Sequence, residues 1–306
     1  MAPATQPFVP KQLAPRAPEV LSELCHPATC NIADVFLKNI TSDQEKSSAF
    51  SSWVVHDNAC GYGEVTRALL NVASAIPVDS IEVVGTDNNE AMVKGFQEKL
   101  RDHPALGQNV KISAEVQDAV SLKFPDNHFT HSFTNFLINS GPMPDQNGQI
   151  LSEIWRTLRP GGIAVITNWN RISFADAITD VHNATRADDG GQLLMGMGGD
   201  MLKPEFLLSL VKGVGFQRRK MTVLSQEVVA LAPWTDEKAR TRYLGLMWSI
   251  LGGTTTGWSK QDEERWDTAL KALEDKLSGS GSDGVVMNDQ GQLRLPLEST
   301  IVIARK

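Results

Sequence analysis

The stretch VVHDNACGYGEVTRALL, residues 54–70, carries the residue types and spacing that point most directly to chemistry. A predicted strand runs into Asp57, and a tight turn with Gly61 and Gly63 leads into a predicted helix. Glycines at such a turn let the backbone approach a ligand closely, although they serve equally well in a strand-to-helix turn without a ligand. A dinucleotide fingerprint would have glycine where Thr66 stands, and the Gly-Lys-Ser/Thr of a P-loop is absent. The turn therefore predicts a nucleoside ligand without phosphates.

Further polar residues follow the next predicted strands. Asp87 ends the second strand, where a carboxylate can accept both hydroxyl protons of a ribose; its alternative role is to cap the helix that begins near 89–90. Asp118 follows the third strand and can accept from an adenine amine, or else cap its own loop. Residues 133–136, FTNF, end the fourth strand at the mouth of the sheet. The carboxyl ends of several strands thus predict one ligand crevice.

Apolar strands and amphipathic helices alternate around these positions. Such alternation forms β-α-β units and predicts a mostly parallel sheet with helices on both faces. The predicted strands are 52–57, 81–87, 110–116, 129–136, 162–168, 216–224 and 299–304. The predicted helices are 19–40, 64–75, 90–101, 148–158, 204–214, 235–251 and 259–277.

Four motifs occur in a recognisable order: DNACGYG at 57–63, Asp87, QDA at 117–119 and LRPGG at 158–162. Together they resemble the class I S-adenosylmethionine-dependent methyltransferases, most closely the ubiquinone-biosynthesis-like group that includes fungal small-molecule methyltransferases. The resemblance implies an α/β fold with a Rossmann-like, seven-stranded, mostly parallel sheet of order 3-2-1-4-5-7-6 and an antiparallel seventh strand. It also implies S-adenosyl-L-methionine as cofactor and S-adenosyl-L-homocysteine as product.

The resemblance also implies roles for individual residues at the crevice. Asp57, Ala59 and Gly61 would line the methionine part of the cofactor, with Asn135 beneath it, and Asp87 would bind the ribose. The remaining residues predicted to bind the cofactor are Asn58, Asn88 and Met92, of which the last two would flank the adenine, and Asp118 and Ala119, which would address its amine and ring. The chain departs from many members at 58–59, where they have a glycine, and at 130–131, where Thr-His stands in place of Asp-Val or a similar pair. The fourth strand therefore lacks the usual acidic start.

The domain prediction separates a tail from a single methyltransferase domain. Five prolines in residues 1–18 predict an extended or disordered tail, and residues 19–306 are expected to form the domain with its N-terminal helices. The core is predicted at 50–169, 203–224 and 298–304, with helical cap insertions at 170–202 and 225–297. Because insertions vary within a fold, we expect them to contribute to the acceptor pocket.

Four candidate residues for the acceptor pocket are Asn139, Trp169, His182 and Trp248. Asn139 would orient a substrate oxygen, and Trp248 would face a flat apolar substrate unless it belongs to the core of the helical insertion. His182 is a candidate base whose alternative is a surface position on a helix. The catalytic base is otherwise unassigned, because positioning an acceptor in line with the methyl group needs little dedicated chemistry. His56 and His131, inside strands, are expected to be structural.

Composition limits the classes of partner. A formal charge of −7 disfavours broad binding to nucleic acid, and no apolar run is long enough for a transmembrane helix. Residues 1–20 lack the apolar segment of a secretory signal, and three cysteines fit no zinc spacing, so we expect reduced thiols in a cytoplasmic protein. The acidic pair at 188–189 is expected to be solvated, and no metal is predicted.

The favoured function is therefore O- or N-methylation of a small molecule such as a natural product. One alternative is a methyltransferase that acts on RNA or protein, which the acidic charge and the sequence FTNF disfavour. Another is a cofactor-binding, methyltransferase-like regulatory protein. The sequence leaves a homodimer open.

Overall fold

The computed structural model of the protein describes residues 7–14, 23–24, 27–42, 50–138, 146–186, 190–194, 199–279 and 284–306. The chain divides into two compact units. The core unit comprises Ala28–Asn170, Asp200–Val228 and Glu298–Lys306, and the insertion unit comprises Met1–Pro27, Arg171–Gly199 and Val229–Leu297. The insertion unit is thus built largely from the two predicted insertions and the start of the chain. The assignment of 19–306 to a single domain stays a prediction.

The central sheet has the strand order β3-β2-β1-β4-β5-β8-β6, and a short strand β7 pairs with β8. The strands are β1 Ser52–Asn58, β2 Ser80–Asp87, β3 Val110–Val116, β4 Phe129–Asn135, β5 Leu158–Ile172, β6 Met221–Pro233, β7 Val286–Met287 and β8 Gln292–Arg305. β1 to β5 pair in parallel, whereas the reciprocal hydrogen bonds of Gly161 and Gly162 with Lys306 make β8 antiparallel to β5. The predicted Rossmann-like fold and strand order are confirmed. The short strand β7 was not predicted, so the observed β8 is the predicted seventh strand.

The helices are α1 Ala28–Ser42, α2 Glu64–Val72, α3 Glu90–Leu100, α4 Asn147–Thr157, α5 Ala175–Thr185, α6 Pro204–Gly213, α7 Glu237–Leu251, α8 Lys260–Glu264 and α9 Trp266–Ser278. Several predicted boundaries were wrong, including those of β5, β6 and β8, and two of the differences have a local cause. The strand predicted at 216–224 begins at Met221, because residues 218–220 form a 3-10 turn. The helix predicted at 259–277 is broken into α8 and α9 at Arg265, whose φ of −100° and ψ of 9° lie outside helical geometry. Within the described ranges, no helix is both long and apolar enough to cross a membrane.

The pleat of the sheet decides which side chains share a face, because successive residues of a strand point to opposite sides. The register pairs Asp57 with Phe133, and Asn135 with Thr167. One face, called face A, therefore carries Asp87, Asp57, Asn135, Thr167 and Trp169. The opposite face, face B, packs on α4 and α6 through the large apolar cluster that includes Ile154 and Leu207.

Residues 7–14 of the predicted tail are described, and they contact α7 and α8 within the insertion unit. The Lys11 N–H donates to Glu263 Oε2 at 2.8 Å, and the Ala14 N–H donates to Ser249 Oγ at 3.0 Å. The rest of the predicted tail, residues 1–6 and 15–18, lies outside the described residues. Backbone donors therefore fix this part of the segment despite its prolines.

Candidate active site

The turn after β1 is held in a conformation that few sequences adopt. Ala59, Gly61 and Gly63 have φ values of 54°, 52° and 82°, in the left-handed region that favours glycine. A Cβ atom at Gly63 would lie 2.7 Å from Leu100 Cδ1 of α3, so glycine is needed there for packing. Gly61 has no such neighbour, since a Cβ atom there would lie 3.7 Å from Glu64 Oε2. The turn therefore packs on α3 at Gly63 and leaves room at Gly61.

Asp87 joins this turn to the end of β2. Its Oδ2 accepts from the Gly61 N–H at 3.1 Å, and its Oδ1 accepts from the Asn89 N–H at 3.0 Å. Asn89, rather than Asp87, caps α3, because the Asn89 side chain accepts from the Ala91 N–H. The Asp87 side chain is half-buried, and each carboxylate oxygen has a second lone pair for a ligand hydroxyl. Two backbone donors thus fix this carboxylate at the edge of the crevice.

The loop after β3 continues the same edge. The Gln117 N–H donates to the Asp87 backbone oxygen at 3.0 Å, which holds the two loops together. Asp118 is exposed, and its Oδ1 accepts from the Val120 N–H at 3.1 Å in a local turn. Its predicted alternative role as a loop cap is therefore present, and it occupies one carboxylate oxygen. The neighbouring positions fit an open edge, since Ala119 and Met92 are half-buried and Asn88 is exposed.

Asp57 has a different environment from Asp87. Its side chain is buried, and its Oδ2 accepts from both the backbone N–H and the hydroxyl of Thr66, at 3.1 and 2.6 Å. Burial raises the pKa of Asp57 to about 7, against the opposing effect of the Thr66 hydrogen bonds. Because Thr66 lies in the first turn of α2, the carboxylate also ties that helix to β1.

The side chain of Asn58 lies on the other face of the sheet from the Asp57 carboxylate. It points to face B, away from Asp57, and is fully buried. Its Nδ2 donates to Thr134 Oγ1 at 3.3 Å, whereas its Oδ1 has no hydrogen-bond partner among the described residues. Alternation along β1 therefore leaves only the backbone of Asn58 for contact with a cofactor on face A.

Asn135, at the end of β4, belongs to a network that joins three elements. Its Nδ2 donates to the Thr29 carbonyl oxygen of α1 at 3.3 Å, and its Oδ1 accepts from Thr167 Oγ1 of β5 at 2.8 Å. Thr167 Oγ1 in turn accepts from the Phe136 N–H at 3.0 Å. Phe136 stacks on Trp169 with ring centroids 3.8 Å apart and an interplanar angle of 17°. Sequence reasoning missed Thr29, Phe136 and Thr167; the aromatic residue after the polar end of β4 was the available signal.

Four neighbouring strands, β3, β2, β1 and β4, thus direct polar groups to one edge of the sheet, where the chain order reverses between β1 and β4. Such a reversal point is where open α/β sheets bind ligands. Residues 55–162 match the family described as a methyltransferase domain. The chain contains a methyltransferase domain. The predicted family, the class I S-adenosylmethionine-dependent methyltransferases, is confirmed for this domain, and S-adenosylmethionine is the cofactor of that family.

Relatives of known name share this domain. The acetylaranotin bis-thiomethyltransferase of Aspergillus terreus is 27% identical over 177 residues, which cover 57% of this chain and 53% of that protein. The ubiquinone/menaquinone biosynthesis C-methyltransferase UbiE of Photorhabdus laumondii is 32% identical over 119 residues, which cover 39% of this chain and 43% of that protein. The chain therefore spans about half the length of these relatives. The crystal structure of the YcgJ protein from Bacillus subtilis has the same fold, with a TM-score of 0.52 and 12% identity, over 90% of this chain and 98% of that one.

Two predicted pocket residues lie in the insertion unit, outside the matched methyltransferase domain. Trp248 is only 1% exposed and packs on Trp258, with ring centroids 6.2 Å apart. The Arg186 guanidinium carbon lies 4.9 Å from the Trp248 ring centroid and 5.0 Å from that of Trp258. The description of these tryptophans as the core of the helical insertion therefore fits Trp248 better than contact with a substrate does.

The His182 ring, on α5, forms a hydrogen bond with Arg186. Its Nδ1 accepts from Arg186 Nη1 at 2.8 Å, which leaves the proton of the neutral imidazole on Nε2. Burial and the Arg186 charge lower the pKa of His182, while the Gly191 backbone raises it. Arg186 Nε also donates to Asp262 Oδ1 at 2.7 Å, and both side chains are almost fully buried. We call these residues, with Trp248 and Trp258, the Arg186 cluster. Among the described residues, the buried Arg186 Nη2 of this cluster has no hydrogen-bond partner.

The strand histidines of the methyltransferase domain are buried in its sheet. His56 Nε2 lies 2.9 Å from Thr86 Oγ1, and its ring stacks on Phe129. His131 Nδ1 lies 2.9 Å from Thr130 Oγ1. Burial lowers the pKa of both histidines to about 3, so they are neutral at physiological pH. Their structural role is as expected.

The other sequence predictions about ligands concern metals and Asn139. Among the described residues, no group of three or more His, Cys, Asp or Glu side chains is arranged to hold a metal ion. Asn139 and the acidic pair at 188–189 lie outside the described residues. Cys30 and Cys60 are free thiols.

Proposed function

We propose that this protein catalyses methyl transfer from S-adenosyl-L-methionine to a small-molecule acceptor, at oxygen or nitrogen, and releases S-adenosyl-L-homocysteine. The observation that carries the proposal is the set of groups at the crevice. The segments 57–63, 87–92 and 117–120 contain acidic and neutral residues but no lysine or arginine. Such an acidic set favours a cationic nucleoside derivative over the phosphates of a dinucleotide.

The residues of the crevice divide the binding of this cofactor among them. The Asp87 carboxylate, already oriented by two backbone donors, would accept the ribose hydroxyls. Asp118 Oδ1 already accepts from the Val120 N–H, so Oδ2 would accept a hydrogen bond from the adenine amine. Ala119 and Met92 would lie against the adenine ring. The left-handed turn at Ala59 and Gly61, with Asp57 and Asn135 on face A, would hold the methionine part.

S-adenosylmethionine supplies a methyl group on a sulfonium, whose departure leaves a neutral thioether. The chain's task is to exclude water and to hold the acceptor atom in line with that methyl group at about 3–3.5 Å. We assign no general base: His56 and His131 are buried in the neutral form, and the His182 ring is hydrogen-bonded to Arg186. The net charge of −7 favours a small acceptor over nucleic acid.

Calorimetric titration of the purified protein with S-adenosylmethionine tests the cofactor site. We expect saturable binding that Asp87→Ala weakens about 10- to 100-fold, because each hydrogen bond to a charged group contributes about 1.5–3 kcal/mol. Asp79→Ala is the matched control, since the exposed Asp79 precedes β2 at the opposite end of the strand. Unchanged affinity in Asp87→Ala, or preferential binding of a nicotinamide dinucleotide, would refute the proposal.

The acceptor class is tested with the same protein and a methyl-labelled cofactor. Label is expected in the low-molecular-mass fraction of an extract incubated with wild type, and not with Asp87→Ala. Label in protein or RNA instead would favour a macromolecular methyltransferase. Intact cofactor binding with no labelled acceptor would favour a regulatory methyltransferase-like protein.

A further inference from the structure

The stacked pair of Phe136 and Trp169 lies at the carboxyl ends of β4 and β5, beside the polar network of Asn135. Both rings are half-buried, so each retains surface that solvent reaches. Their centroids are 3.8 Å apart and their planes differ by 17°, so the two rings stack nearly parallel. Aromatic rings bind other rings in offset or edge-on arrangements, and a flat pair of this kind offers a binding face.

The backbone of Phe136 is strained. Its φ of 58° lies in the left-handed region, which a bulky residue without a short polar side chain rarely adopts. The hydrogen bond of the Phe136 N–H to Thr167 Oγ1 holds this conformation, and Thr167 is itself held by Asn135. Strain of this kind persists where the surrounding structure overdetermines it, and it concentrates at ligand sites.

The two neighbours of Trp169 in β5 form hydrogen bonds on the opposite face of the sheet. Asn168 and Asn170 point to face B, where their Nδ2 groups donate to the Met201 carbonyl oxygen at 3.1 Å and to Ser225 Oγ at 3.4 Å. Trp169 therefore points to face A, on the same side as Thr167, Asn135 and Asp57. The aromatic surface and the groups proposed to hold the methionine part thus share one face and one edge of the sheet.

We infer that the Phe136–Trp169 pair binds a planar, uncharged aromatic or conjugated ring of the methyl acceptor, an inference that rests on the proposed function. The polar groups beside the pair, from Asn135, Thr167 and Thr29, are neutral amide, hydroxyl and carbonyl groups. A neutral flat ring therefore suits this surface better than a charged or puckered molecule. The rings of Phe136 and Trp169 determine specificity for the acceptor, and neither ring is among the groups proposed to bind the cofactor.

Two probes with the same skeleton test this inference: 2-naphthol, which is flat, and decahydro-2-naphthol, which is puckered. Binding of each is measured by equilibrium dialysis in the presence of S-adenosylhomocysteine. We expect wild type to prefer 2-naphthol, and Trp169→Leu to weaken 2-naphthol binding about three- to tenfold and to abolish the preference. Trp169→Phe, which keeps a flat ring, should retain most of the preference.

The controls separate this inference from the proposed function. Phe8→Leu removes an exposed ring of the insertion unit and should change neither probe's affinity. S-adenosylhomocysteine affinity, measured alone, should be the same in wild type and in the Trp169 variants. Equal binding of both probes by wild type, or an unchanged preference in Trp169→Leu, would overturn the inference. If Trp169→Leu does not fold, the wild-type preference and the retention by Trp169→Phe still decide it. Loss of S-adenosylhomocysteine binding in wild type would instead count against the proposed function.

Discussion

The crevice of the core unit and the Arg186 cluster of the insertion unit both combine ionisable side chains with aromatic rings, but they differ in what those side chains can still bind. In the crevice, Asp87 is half-buried and Asp118 is exposed, and each is oriented by the backbone. In the cluster, the Arg186 and Asp262 side chains are 5% and 7% exposed, and they bind each other. The first arrangement leaves carboxylate oxygens accessible to a ligand, whereas the second uses its charges to join the end of α5 to α8.

The comparison shows why residue type alone misleads about function. His182 and Asp87 were both candidate site residues, and the surroundings of each side chain separate them. A side chain whose polar atoms are satisfied inside a closed network contributes to the packing of its own unit. A side chain held by backbone donors at an open edge keeps acceptor capacity for a ligand.

The largest effect that would separate the two regions is expected from Asp262→Asn. This substitution leaves the buried Arg186 charge uncompensated, so we expect the free energy of unfolding to fall by about 3–5 kcal/mol. Urea unfolding measures the loss. Cofactor affinity, titrated under conditions where the variant is folded, should stay within about twofold of wild type if the cluster is structural.

Asp275→Asn is the matched control in the same unit. Asp275 forms an ion pair with Lys271 in which both side chains are 65% exposed, and exposed pairs contribute about 1 kcal/mol or less. A comparable loss in the two variants would show that the Arg186–Asp262 pair is no more important than a surface pair. A selective loss of cofactor affinity in Asp262→Asn would contradict a purely structural cluster.

An intermediate effect concerns Asp57, the buried carboxylate of the crevice. Burial raises its pKa in the folded protein to about 7, from an ordinary value near 3.8. Between these two pH values the folded state keeps a proton that the unfolded state has released, so the free energy of unfolding falls as pH rises. From pH 5 to pH 8 the loss from this one group is about 3 kcal/mol.

Asp57→Asn removes this titration and keeps an oxygen to accept from Thr66. Denaturant unfolding across this pH range should therefore show the variant gaining stability relative to wild type as pH rises. Asp79→Asn, an exposed aspartate, serves as the control and should follow wild type at every pH. A constant difference between Asp57→Asn and wild type would show that Asp57 is ionised throughout.

The smallest effect is expected from His182→Gln. The substitution removes the ring nitrogen that accepts from Arg186 Nη1, so stability should fall by about 1–3 kcal/mol. On the proposed function, the pH profile of methyl transfer should keep its shape, because a positioning residue for Arg186 takes no substrate proton. His103→Gln in the core unit is the comparison. Loss of a titration step from the His182→Gln profile alone would make His182 a catalytic base.

The first strands and helices of the core unit could be predicted from local sequence patterns. The strands from β1 to β4 and the helix α3 lie within one residue of their predicted bounds, because apolar runs and glycine turns specify them locally. The helix α2 ends three residues early, where residues 73–75 form a 3-10 turn. The full lengths of strands β5, β6 and β8 were not predicted, because their extensions depend on pairing with segments distant in the chain. The break between α8 and α9 at Arg265 could not be predicted, because no proline or glycine lies beside it in the sequence.

The sequence by itself determined the family, the alternation of strands and helices, and the carboxylates at the ends of β2 and β3. Those features are encoded in short segments, where glycine spacing and apolar runs act through neighbouring residues. Only the tertiary structure decided that Asn58 points to face B, that Arg186 pairs with Asp262, and that Phe136 stacks on Trp169. Each of these depends on pleat, register or a partner far along the chain, and such contacts form only when the chain folds.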